Sequence, residues 1–112
     1  MTKKTHFVTQ IPESHQLVLI NVDRLDELVV TVKTKHGSGY VWKLETPDNN
    51  FCMLLGEHIP SQNKDVCGEE GVNVYKLEII KSGRLFLTNR RPFETDKEPL
   101  ESIEVSVTVL EE

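Results

Sequence analysis

Most of what would mark a membrane protein, a nucleic-acid binder or an enzyme is missing from this chain. No stretch approaches the roughly 18 consecutive apolar residues of a transmembrane helix, so no membrane association is expected. The opening residues Met1-Thr2-Lys3-Lys4-Thr5-His6-Phe7-Val8 carry charge without an apolar core behind them, so no secretory signal is expected and the chain is read as cytoplasmic. Cysteine is scarce: Cys52 and Cys67 are read as the reduced thiols of a cytosolic protein. Positive charge is in the minority, with 13 Lys and Arg against 18 Asp and Glu, a formal net charge of −5. Lys3-Lys4 and Arg90-Arg91 are the basic pairs, too few for the stripe that displaces counterions from phosphates, so no nucleic-acid partner is expected. Aromatics are few, and most of the one Trp, two Tyr and four Phe are needed for a core rather than for sugar-binding platforms. The 112 residues suit a single domain spanning 1–112.

What the chain has in quantity is alternation. Ile103, Val105, Val107 and Val109 alternate with Glu104, Ser106 and Thr108, the period-two pattern of a strand with one buried face. Leu28, Val30 and Val32 do the same against Val29, Thr31 and Lys33, and Tyr75, Leu77 and Ile79 against Lys76 and Glu78. Further strands are expected over 15–20, 40–45, 51–59 and 84–89, with a short one near Phe7. Leu25 and Leu28 are three apart, as in a helix, but the β-branched run Val29-Val30-Thr31-Val32 favours extended chain. Turn signals fall between these segments: Gly37-Ser38-Gly39, Pro47-Asp48-Asn49-Asn50, Pro60-Ser61-Gln62-Asn63, Ser82-Gly83 and Arg91-Pro92. The pattern predicts an all-β fold, an immunoglobulin-like antiparallel β-sandwich of seven to eight strands, with Trp42 as its buried tryptophan.

Catalytic parts are absent from this pattern. His6, His15, His36 and His58 include no pair spaced to share one metal, and the cysteines form no Cys-x-x-Cys, so no metal or other cofactor is expected. Ser38 sits in His36-Gly37-Ser38-Gly39, which lacks the strand-to-helix setting of a nucleophile elbow. Gly68-Glu69-Glu70-Gly71 would repel a phosphate through its two carboxylates. The chain is read as a binding protein, not an enzyme, with its function in loops carried by a stiff sandwich.

Three loops in order carry a resemblance. The first reads Lys35-His36-Gly37-Ser38-Gly39, followed by Tyr40-Val41-Trp42. The second reads Gly68-Glu69-Glu70-Gly71, and the third Arg91-Pro92-Phe93. Together they resemble the chagasin family of inhibitors of papain-like cysteine peptidases, whose loops carry Asn-Pro-Thr-Thr-Gly before aromatic-x-Trp, then Gly-x-Gly-Gly, then Arg-Pro-Trp. Lys35, His36 and Gly37 depart from the first motif, Glu70 from the second and Phe93 from the third. The agreement runs from about Asp26 through Phe93 and into the last strand. The first thirteen residues and the segment Thr46–Phe51 add nothing to it.

The resemblance implies a reversible, tight-binding, competitive inhibitor that fills the peptidase cleft with three loops; the free chain is expected to be a monomer. The first loop, Lys35 to Tyr40, would place Gly37, Ser38 and Gly39 over the catalytic cysteine, where glycines let the backbone come close. The second, with Val66 and Cys67 ahead of Gly68, Glu69, Glu70 and Gly71, would lie along the non-primed side and pair as an added strand. Glu69 and Glu70 would disfavour enzymes with an acidic residue deep in that pocket. Arg91 and Phe93, stiffened by Pro92, would face the primed side as anchors. His36 brings a group that titrates between about pH 5 and 8. The alternative is a non-enzymatic binding or adhesion module on the same fold.

Overall fold

Alternation becomes eight strands in the computed structural model, which describes residues 3–11, 14–35, 39–48, 50–58, 70–91, 93 and 98–110. They are β1 (Thr5–Thr9), β2 (His15–Val22), β3 (Glu27–Lys35), β4 (Val41–Glu45), β5 (Cys52–His58), β6 (Glu70–Ile79), β7 (Gly83–Arg90) and β8 (Glu101–Val109). Two four-stranded sheets result, ordered β1-β3-β6-β5 and β2-β8-β7-β4. Their inner faces carry the residues that the period-two reading selects. Leu28, Val30 and Val32 of β3 and Tyr75, Leu77 and Ile79 of β6 meet Leu85 and Leu87 of β7 and Ile103, Val105 and Val107 of β8, all buried. Trp42 is buried in the same core.

The sandwich is as expected, but its strands are not all antiparallel. The ladders β3–β6, β4–β7, β5–β6 and β7–β8 are antiparallel. β1 runs parallel to β3, and β2 parallel to β8. The chain alternates between sheets over its first three strands, so no hairpin dictates the direction of β1 or β2, and each pairs across a long connection. Alternation reports which face is buried and says nothing about the neighbour's direction.

Two local departures have clear causes. Phe51 does not open β5; it lies just before it, fully buried, and its carbonyl accepts the N–H groups of Ile80 (2.8 Å) and Lys81 (3.2 Å). Its ring fills the space where a Cβ on Gly83 would lie, 2.6 Å from ring atoms, so residue 83 must be glycine. The 22–30 segment is two strands joined by a turn in which Leu25 adopts φ 73° and donates its N–H to the Ile79 carbonyl at 2.7 Å. Beside that turn Asp26, buried, accepts from the backbone N–H of Lys4 (3.1 Å) and Asp23 (3.0 Å) and pairs with His6 Nε2 at 2.9 Å. Burial alone would raise the Asp26 carboxyl; the bonds from His6, Lys4 and Asp23 outweigh it and hold the group below its ordinary value.

Candidate functional site

The far end of the sandwich from Asp26 is where the three loops of interest leave and return. Lys35, the last residue of β3, is the register partner of Glu70, the first of β6. The segment after Lys35 and the segment before Glu70 are therefore rooted side by side. Across the sandwich, Val41 opens β4 opposite Arg90, which closes β7. The exit of the first loop and the entry of the third are thus neighbours. Asn89 lies opposite Glu101, and the Leu100 N–H donates to the Asn89 carbonyl at 2.8 Å, closing the base of the third loop.

Above these roots the described side chains form one continuous contact between the first and third loops. The Arg91 guanidinium stands over the Tyr40 ring, 4.9 Å from its centre, a cation–π geometry. Gly39, next to Tyr40, has φ +85°, a conformation that costs an L-residue about 1–2 kcal/mol. A Cβ there would lie 3.7 Å from Arg91 Nε, ordinary contact, so it is the backbone angle and not crowding that calls for glycine. Phe93 is 79% exposed, its ring offered to solvent with Val41 and Leu100 also exposed on this end. Gly71 follows Glu70 in β6, partnered by Thr34. His36, Gly37, Ser38, Val66, Cys67, Gly68, Glu69 and Pro92 lie outside the described residues.

Beneath the loops lies a layer of buried polar groups that the sequence reading does not single out. Gln10 Oε1 accepts the Lys33 N–H at 2.8 Å, and Gln10 Nε2 donates to Glu101 Oε2 at 2.5 Å. Asn89 Nδ2 donates to the other oxygen of Glu101 at 2.8 Å. Trp42 Nε1 donates to the Lys33 carbonyl at 2.9 Å, so both polar groups of Lys33's backbone are held by side chains from outside its own strand. Thr34 Oγ1 donates to Asn73 Oδ1 at 2.9 Å where the first two loops are rooted. A signal was available: Asn73, Asn89 and Glu101 each continue an inward-facing alternation, two residues beyond Tyr75, Leu87 and Ile103 respectively. A polar residue at an inward position is the informative kind of burial. Gln10, between β1 and β2, carries no such mark.

The arrangement contains no catalytic constellation among the described residues. Cys52 is a free thiol on β5, and burial pushes it up to about 11, an inert rather than a nucleophilic sulfur.

The chain is similar to known proteins over most of its length. The sequence model of the chagasin family of peptidase inhibitors (I42) matches residues 21–109. Amoebiasin-2 of Entamoeba histolytica is 28% identical over 110 residues, covering 93% of this chain and 85% of that protein. In structure, the chain is similar to the cysteine protease inhibitor EhICP2 of Entamoeba histolytica, with a TM-score of 0.72 at 23% identity, over 96% of this chain and 97% of the other. PbICP-C, solved in complex with falcipain-2, gives a TM-score of 0.62 at 16% identity, over 96% and 99% of the two chains. At these identities the structural likenesses speak for the fold.

Proposed function

The chain belongs to the chagasin family of peptidase inhibitors, and on that footing we propose that it blocks papain-like cysteine peptidases by seating three loops in their active-site cleft. It is an inhibitor and not an enzyme. A papain-like site is a cleft with a thiolate–imidazolium pair at its floor. A protein that closes it must reach the floor with backbone, avoid presenting a cleavable bond, and hold its own shape on binding. Gly37, Ser38 and Gly39 supply the close approach, and Ser38 supplies a hydroxyl for the dyad. Val66, Cys67 and the run Gly68 to Gly71 extend along the non-primed side, with Glu69 and Glu70 setting selectivity there. Arg91, Pro92 and Phe93 cover the primed side, Phe93 as the apolar anchor.

The observation that carries this reading is the rooting of the three segments at one end, with Arg91 braced on Tyr40 and Phe93 left exposed. A stiff framework loses little freedom on docking, which favours slow dissociation. Three loops together can reach the roughly 800 Å² per partner of a standard interface. The complex of PbICP-C with falcipain-2 supports a cysteine peptidase as partner.

Titrating papain with the purified protein at fixed, low enzyme concentration tests the proposal. Loss of peptide hydrolysis near one equivalent, recovered on dilution and with the inhibitor intact by mass, is the expected result. Full activity at large excess, with papain and with a second papain-like enzyme, would overturn it.

A further inference from the structure

We infer that the buried bridge Gln10–Glu101–Asn89 is a positioning device for the peptidase-binding loops, setting how the first and third loops stand relative to each other; this rests on the inhibitor reading above. The first ground is location. The buried polar residues of the described chain are Gln10, Asp26, Asn73, Asn89 and Glu101, and all but Asp26 lie at the loop end. The centre of the sandwich is apolar. Polar burial is concentrated where geometry matters to docking.

The second ground is what the bridge joins. Gln10 is fixed to the first sheet by its own N–H to the Thr31 carbonyl (2.9 Å) and by Oε1 to the Lys33 N–H (2.8 Å), two residues short of the first loop. Glu101 and Asn89 are register partners at the root of the third loop in the second sheet. The Gln10-to-Glu101 bond therefore crosses between sheets and links the two loop roots directly. Apolar faces packed together tolerate small sliding; a hydrogen-bonded chain with fixed angles and lengths does not. A shift of about 1 Å between loops that must enter one cleft is enough to spoil complementarity.

The third ground is cost. A carboxylate is held out of water here, and Asn89 Oδ1 is buried with no hydrogen-bond partner among the described residues. Apolar side chains of similar volume commonly give equal or greater stability at such sites. Stability alone therefore does not account for the bridge. Gln10 also lies outside residues 21–109 that the family model matches.

The test compares wild type, the triple variant Gln10→Met/Asn89→Leu/Glu101→Met, the single variant Gln10→Met and the conservative Glu101→Gln. Each is measured by urea unfolding and by inhibition constant and dissociation rate against papain. The triple variant is expected to keep or raise its unfolding midpoint while inhibiting at least tenfold more weakly, chiefly through faster dissociation. Gln10→Met is expected to weaken inhibition in the same sense, and Glu101→Gln to stay within threefold of wild type, because its amide oxygen can still accept from Gln10 Nε2 while its amide N–H donates to Asn89 Oδ1 once the Asn89 amide turns over. Whichever of the triple variant and Gln10→Met is folded decides the matter. Inhibition within threefold of wild type by a folded variant overturns the inference, as does a loss of inhibition that merely tracks lost stability. Failure of wild type itself to inhibit would strike the inhibitor reading instead.

Discussion

The guanidinium of Arg91 lies 4.9 Å from the centre of the Tyr40 ring, joining the exit of the first loop to the entry of the third. Neither residue is far from its strand, so the pair braces the loops where they begin to diverge. A half-exposed cation–π contact contributes about 0.5–2 kcal/mol. Tyr40→Leu and Arg91→Ala should each weaken inhibition, and the double variant should lose less than the sum of the two. The non-additivity in a double-mutant cycle on the inhibition constant measures the brace.

Phe93 offers the clearest separation of binding from folding. Its ring is 79% exposed, so Phe93→Ala should leave the unfolding midpoint unchanged within experimental scatter. As an aromatic anchor it should cost about 2 kcal/mol of binding, roughly a thirtyfold rise in the inhibition constant. Phe93→Trp, with its greater area, should bind at least as tightly.

Gly39→Ala forces an L-residue into φ +85°. It should destabilise the fold by about 1 kcal/mol and weaken inhibition, as the first loop relaxes away from its angle. Thermal unfolding and the inhibition assay read the two effects separately.

Asp26 predicts an acid-sensitive contribution to stability. Its carboxyl is held below the ordinary value, so the native state binds its proton less readily than the unfolded chain does. The stability it contributes is therefore complete above about pH 4, the unfolded carboxyl's range, and is lost as pH falls through the lower native value. Asp26→Asn should destabilise the protein by about 1–3 kcal/mol at pH 7 and much less under strongly acidic conditions. Urea unfolding of both proteins across that range checks it. The residue lies at the end opposite the loops, so inhibition at pH 7 should change little.

The Cys52 thiol, pushed up to about 11 by burial, should alkylate slowly. In a Cys67→Ser variant, iodoacetamide should react about a hundredfold more slowly at pH 7 than with an unstructured cysteine, because the thiolate fraction is that much smaller. Unfolding in urea should restore the ordinary rate.

The inward faces were legible in the sequence because burial on one side imposes period two, and Leu28, Tyr75 and Ile103 sit where that period puts them. The directions of β1 and β2 were not legible, because a parallel partner is chosen by packing across a long connection. At the loop end, Tyr40, Arg91 and Phe93 could be read from their order and spacing. Gln10 could not: its importance comes from Glu101, at the other end of the chain, and no local pattern announces so distant a partner. Phe51 reads as the first residue of a strand over 51–59, whereas it precedes β5 and its ring takes the space left by the missing side chain of Gly83.

The parallel pairing of β2 with β8 joins the second strand of the chain to the last. Such distant partners raise the entropy lost before contact is rewarded, and folds built from them form in milliseconds to seconds rather than microseconds. During synthesis β2 has no neighbour in its own sheet until β8 has been made, and the third loop has no second root until Glu101 arrives. The third loop therefore gains its second root only when β8 is in place, whereas the root that the first two loops share, on β3 and β6, can form before it.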